Sequence, residues 1–182
     1  PEAERVGFEY QVPFARWVGH DGETDYNEAS LDFLSSAAAL TPLTKKLLLF
    51  STAHCNYAFH PMHYAKFGAS MDFMSKGRWG LNIVAGYSHK EFAAFGIEPP
   101  GHAEAYARAD EFITLMKHLW HEDVPIEFEG QFYQTYGGLI LPKPVRKPRP
   151  ILMSAGQSDA GSVRPGDSRQ PRCRPTSFPG GS

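Results

Sequence analysis

The chain has 182 residues, of which 42% are hydrophobic, 13% aromatic and 21% charged, with a formal net charge of −2; such values suit one ordinary globular domain in a soluble, reducing compartment, taken here as the cytoplasm. This charge offers no broad basic field for nucleic acid, no apolar run approaches the ~18 residues a membrane helix needs, and Pro1-Glu2-Ala3-Glu4-Arg5 lacks the basic-then-apolar order of a signal peptide. Two cysteines more than a hundred residues apart cannot form a disulfide framework.

In chain order, Ala3 to Phe8 reads as the last turn of a helix closed by Gly7. Phe8 to Trp17 is aromatic-rich and extended in character, a short strand interrupted near Pro13. Asp25-Tyr26-Asn27-Glu28 has the acidic character of a helix start, and Leu31, Leu34 and Ala38 recur at helical spacing before Thr41-Pro42 ends the pattern. Leu47 to Ala53 is a nearly continuous apolar run, as in a parallel strand covered on both faces. His60-Pro61 then opens a helix whose apolar stripe is Tyr64, Phe67, Met71 and Met74, ended by Gly77.

Gly80 to Ala85 is the next strand, and a long helix from about Ala103 to His121 places Phe112, Leu115, Met116 and Leu119 on one face. Ile126 to Leu141 alternates around glycines and predicts a hairpin, and Ile151 to Ala155 is a fourth core strand. The tail from Ser162 to Ser182 has 11 Pro, Gly or Ser and four Arg among its 21 residues, too little apolar surface to offset the entropy of ordering it. Residues 1–161 are therefore expected to fold and 162–182 to be disordered. The chain reads as cut at both ends, and the mid-helix change of composition after Gly161 reads as a shifted reading frame.

Alternating strands and helices specify an α/β fold with a parallel sheet, doubly wound or a (β/α) barrel, in which ligands collect at the carboxyl ends of the strands. Those ends carry Ser51-Thr52-Ala53-His54, Asn82 with Gly86, and Ser154 through Ser158. Thr52 and Asn82 alone would more often be strand-end residues bonding local backbone, while for Glu91, in a polar segment, a solvated carboxylate and a ligand contact are equally open. His54 could line a cavity or bond a neighbouring carbonyl, and Cys55 could be a small core residue or a cavity wall. His60 with His63, and His118 with His121, have a spacing compatible with metal ligands, but no HExxH or CxxC accompanies them, so no metal is assigned.

The run Gly77-Arg78-Trp79-Gly80-Leu81-Asn82-Ile83-Val84-Ala85-Gly86, followed by Glu91-Phe92 and Phe95-Gly96, resembles the core signature of the luciferase-like flavin monooxygenases. Ser51 to His54, His60-Pro61 with Ala65-Lys66, Phe128 to Tyr133, Pro142-Lys143-Pro144 and Ala155 to Gly161 recur in that family in the same order, and the last is most similar to its pyrimidine, sulfone and alkanesulfonate branches. The resemblance spans about residues 3 to 161.

It implies a (β/α)8 barrel, of which about four strands are present here, binding reduced FMN from a separate flavin reductase and using O2 to oxygenate a small organic substrate. The intact family would form homo-oligomers. Carried over residue by residue, it places Thr52, Asn82 and Glu91 at the flavin ring, and Tyr106, Gly156, Gln157 and Ser158 at its phosphate. A Gly-containing turn opening a helix suits an anion. The arginine expected before Tyr106 is Ala105, with Arg108 one turn on as a substitute. No catalytic residue is assigned beyond His54 as a candidate for the substrate cavity. A non-catalytic flavin-binding or structural remnant of such a barrel is the alternative.

Overall fold

A computed structural model describes residues 2–19, 23–24, 28–57, 59–154 and 172–175. Its centre is a four-stranded, wholly parallel sheet in the order β1-β2-β3-β6, where β1 is Tyr10–Gln11, β2 Leu48–His54, β3 Trp79–Val84 and β6 Ile151–Ser154. The alternation of strands and helices predicts such a parallel sheet, and the family resemblance makes it part of a barrel. Helix α1 (Glu2–Arg5) is closed by Gly7 at φ 91°, a backbone region open to glycine at little cost. Glu4 Oε1 then accepts the amides of Lys45, Lys46 and Leu47 at 2.8, 2.6 and 2.8 Å, clipping that turn to the entry of β2.

Side chains alternate across β2 and β3. Leu49, Ser51 and Ala53, with Trp79, Leu81 and Ile83, face the helices α2 (Phe33–Leu40), α3 (Pro61–Ser75) and α5 (His102–His121). Ser51 Oγ donates to the Phe33 carbonyl at 3.2 Å and accepts from Trp79 Nε1 at 3.1 Å, so even the polar group on this face is bonded. Phe112, Leu115, Met116 and Leu119 of α5 all lie in this core, as their spacing requires.

Phe50, Thr52 and His54 face the other way, beside their register partners Gly80, Asn82 and Val84. Gly80 is required there: a Cβ on it would sit 2.5 Å from Cε1 of the Phe50 ring. The second sheet contains the expected hairpin, β4 (Ile126–Glu129) with β5 (Gln134–Gly138), and Glu111 of α5 accepts the amides of Gln131, Phe132 and Tyr133 at 2.8, 2.9 and 2.6 Å to hold its turn.

Several elements differ from the sequence reading. The strand expected over Phe8 to Trp17 shrinks to two residues, because only Tyr10 and Gln11 pair with β2. Helix α2 starts at Phe33, capped by Asp32 through the Ser35 amide at 2.7 Å; Asp25 to Asn27 lie outside the described residues. In α3, Tyr64 and Met71 are buried, but Phe67 and Met74 are 42% and 53% exposed. The small residues Ala65, Gly68 and Ala69 form the packing face instead, with Trp79 and Trp120 lying where a larger residue at 68 would go.

A short helix α4 (His89–Ala94), not expected from the periodicity, follows β3 with Ser88 as its cap. In the tail, the described residues Arg172–Pro175 form a strand, β7, antiparallel to β4, where composition suggests no order. Edge pairing uses backbone groups and needs no apolar side chains. Among the described residues no helix is long and apolar enough to cross a membrane.

Candidate flavin site at the carboxyl ends of the strands

Thr52 and Asn82 are opposite each other in the β2–β3 register and face away from the helices, both less than a tenth exposed. Their bonds are long. Asn82 Nδ2 donates to Thr52 Oγ1 at 3.3 Å, and Thr52 Oγ1 donates to the Pro13 carbonyl at 3.4 Å, beyond the usual range for such groups. Asn82 Oδ1 is buried with no hydrogen-bond partner. An unmet buried acceptor costs about 1–3 kcal/mol. An N–H donor of a bound ligand is the chemical complement of that acceptor.

His54, two residues further along the same face, is 6% exposed, and its Nδ1 also lacks a partner. Burial lowers its pKa to about 4, opposed by the charge of Glu91 and assisted by that of Arg16. The imidazole is therefore uncharged near neutral pH. Cys55 beside it is fully buried, and burial pushes its thiol up. It belongs to the core cluster, in keeping with the small-core-residue reading.

Asn56 joins the strand ends to the helix that carries Tyr106. Its Nδ2 donates to the carbonyls of Ala85 at 2.6 Å and Ala105 at 3.2 Å, bringing the start of α5 against the exits of β2 and β3. Tyr106 is half-buried on that turn, its ring 4.8 Å from His102. Ala105 is buried; Arg108 Nη2 donates to Glu104 Oε1 at 3.0 Å and its guanidinium lies 4.8 Å over the Phe132 ring, while its Nε is buried with no hydrogen-bond partner. Gly156, Gln157 and Ser158 lie outside the described residues.

Glu91 is not a solvated carboxylate but 0% exposed. Its Oε1 accepts the Trp17 amide at 2.8 Å and its Oε2 the Tyr57 hydroxyl at 2.6 Å, with Arg16 Nη1 at 3.7 Å from Oε2. Burial works against its charge, but Tyr57, the Trp17 amide, His54 and Arg16 together hold the carboxyl below the usual carboxylate range. Burial and the bond to Glu91 push the Tyr57 phenol well up, so it stays protonated.

Arg16, Asn56 and Tyr57 carry no motif and escaped the sequence reading. One signal for Glu91 was available: it stands four residues before Phe95, which in a helix places both on one side. Among the described residues, no three His, Cys, Asp or Glu side chains are grouped to hold a metal ion. A separate cavity of about 340 Å3, lined by Ala3, Phe8, Tyr10, Gln11, Leu40, Thr44 and Leu47, lies at the opposite end of β2, away from these groups.

The family model for luciferase-like monooxygenases matches residues 1–164. The chain is 30% identical over 162 residues to the pyrimidine monooxygenase RutA of Allorhizobium ampelinum, a match covering 88% of this chain and 43% of that protein. It is 33% identical over 158 residues to an FMNH2-dependent dimethylsulfone monooxygenase of Pseudomonas putida, covering 87% and 42%. Among solved structures, the EDTA monooxygenase EmoA of Chelativorans sp. BNC1 superposes with a TM-score of 0.79 at 26% identity, over 87% of this chain and 43% of that one. The chain thus spans less than half the length of the relatives it matches.

Proposed function

The chain belongs to the luciferase-like monooxygenase family, and on that premise we propose that it holds reduced FMN over the carboxyl ends of β2 and β3 as part of a monooxygenase that oxygenates a small organic substrate with O2. The observation that carries this reading is the buried, unpartnered Oδ1 of Asn82 beside the loosely bonded Thr52 hydroxyl. Reduced flavin, when bound, supplies the electrons for oxygen activation.

In this reading, Asn82 accepts the ring N–H, and Thr52 offers its hydroxyl to the same edge. Tyr106, with Gly156, Gln157 and Ser158, takes the phosphate end. His54, uncharged near neutrality, walls the substrate side without adding charge. The flavin arrives from a separate reductase, and the working form is a homo-oligomer. A relative named for pyrimidines and another for dimethylsulfone point to a small nitrogen or sulfur compound as substrate.

A second reading is a chain that binds flavin without turning it over. It is favoured by the open side of β1, where Phe8, Tyr10 and Phe14 are 66%, 54% and 59% exposed. Titration of the purified chain with FMN, followed by flavin fluorescence with size-exclusion chromatography at each step, tests both. Saturation at one FMN per chain or per dimer supports a flavin site, and oxygen uptake with a reductase and a substrate panel then separates enzyme from binder. Absence of saturable binding overturns both.

A further inference from the structure

We propose that Asn56 is a positioning residue that sets the start of α5 against the exits of β2 and β3, and that this spacing makes the chain select FMN over unphosphorylated riboflavin. The proposal rests on the flavin reading above, with the ring over the strand ends and Tyr106 at the phosphate. Asn56 acts through the backbone of both regions rather than by contact with the cofactor.

Asn56 is the second residue beyond β2 and is 4% exposed. Its Nδ2 donates to the Ala85 carbonyl at 2.6 Å and to the Ala105 carbonyl at 3.2 Å. Each carbonyl belongs to a planar peptide unit that leads into a residue of the site. The Ala85 carbonyl shares its unit with Gly86, just past the end of β3, and the Ala105 carbonyl shares its unit with Tyr106. One side chain therefore joins the ring end and the phosphate end of the proposed flavin position. The carboxamide lies one way round, because a flip would set Oδ1 against two carbonyl oxygens. That orientation leaves Oδ1 buried without a partner. A well-fitting apolar side chain would avoid that cost but would leave the two peptides unjoined.

The join matters because the first turn of α5 is weakly anchored. Its N-cap is Gly101, which makes no side-chain cap bond, and His102, Ala103 and Glu104 are exposed. Ala105 is the first buried residue of the helix, and its large buried apolar side chains begin at Phe112. Asn56, in contrast, stands on a braced segment. The Cys55 amide donates to the Val84 carbonyl at 3.0 Å, and the Cys55 carbonyl accepts the Tyr133 hydroxyl at 3.0 Å. The Phe128 to Tyr133 motif thus holds the residue before Asn56, and Asn56 passes that position on to α5. Hydrogen bonds weaken steeply with misalignment, so a shift of the α5 start removes the phosphate contact and spares the ring.

The test titrates the full chain with FMN and with riboflavin, followed by flavin fluorescence. Asn56→Ala weakens FMN binding by about tenfold and changes riboflavin binding by less than about twofold. An equal loss for both ligands marks a general loosening of the fold, and no loss for either marks a residue without influence on the site; both overturn the proposal. In a Y106F background, N56A costs little further FMN affinity, whereas additive losses mean that Asn56 does not act through Tyr106 and overturn it. Without flavin, N56A speeds amide exchange over residues 102–106 while Leu115 to Leu119 stay protected, and unchanged exchange overturns the join. Where N56A does not fold, the parent chain decides: the Asn56 side-chain amide resonance shifts with FMN and not with riboflavin, and an equal response refutes the proposal. A parent that binds both flavins equally keeps the flavin reading and overturns the selectivity. If the parent binds neither, the flavin reading and the selectivity fail together, while exchange still decides whether Asn56 holds α5.

Discussion

Acidification should destabilise the chain through His54, and the size of the effect follows from its environment. The imidazole is 6% exposed with an unpartnered Nδ1, and burial lowers its pKa from 6.5 to about 4. Between those values the unfolded chain binds a proton that the folded chain refuses, so stability falls as pH falls. It is fully present above the unfolded pKa and is lost on descent toward the folded one. Integrating the linkage relation from about pH 7 to about pH 5 gives a loss of about 2 kcal/mol from this residue. His60 and His118 are also shifted down, mainly by burial, and act in the same sense. The difference between the parent chain and His54→Gln isolates the part due to His54. Urea unfolding at both pH values, followed by tryptophan emission, should show the variant losing about 2 kcal/mol less than the parent. Equal losses in the two proteins, or a parent that gains stability on acidification, would refute the assignment of His54 as a buried neutral imidazole.

Other perturbations have equally definite outcomes. Gly80→Ala forces a Cβ to within 2.5 Å of the Phe50 ring on the packed sheet and should cost about 1–3 kcal/mol in chemical denaturation; a neutral result would mean that face is loosely packed. Glu111→Ala strips the acceptor from the Gln131, Phe132 and Tyr133 amides and should cost about 3 kcal/mol, read as a lowered thermal midpoint with loss of exchange protection in the hairpin. Asn82→Leu removes the unmet acceptor, so stability should hold or rise while FMN affinity falls about tenfold, measured by calorimetry.

Much of the sheet was legible because its signals are local. The run from Leu47 to Ala53 and the stripe of α5 each need one period and one neighbour, and both stand as expected. Where tertiary contacts decide, the pattern misled. In α3, the large residues Phe67 and Met74 point outward because Trp79 and Trp120 fill the space at the helix face and leave room only for Ala65, Gly68 and Ala69. The strand near Phe8 is short because pairing, not aromatic content, limits it.

At the site, Thr52, Asn82 and His54 could be located from strand ends alone. Arg16 and Tyr57 could not, since their significance comes from meeting Glu91 across 75 and 34 residues of sequence. For Glu91 the sequence left a solvated carboxylate and a ligand contact equally open, because His89 and Lys90 make the segment look polar; Phe92 and Phe95 turn it inward, and the solvated alternative falls.

The most direct test of the central claim is where FMN lands on the chain. Amide chemical-shift mapping of the isotope-labelled protein during FMN titration should move Thr52, Asn82, Ala85, Gly86 and Tyr106, at the carboxyl ends of the strands, and leave Ala3, Leu40 and Leu47 of the opposite cavity unaffected. Shifts centred on that cavity, or none at saturating FMN, would contradict a flavin site at the strand ends.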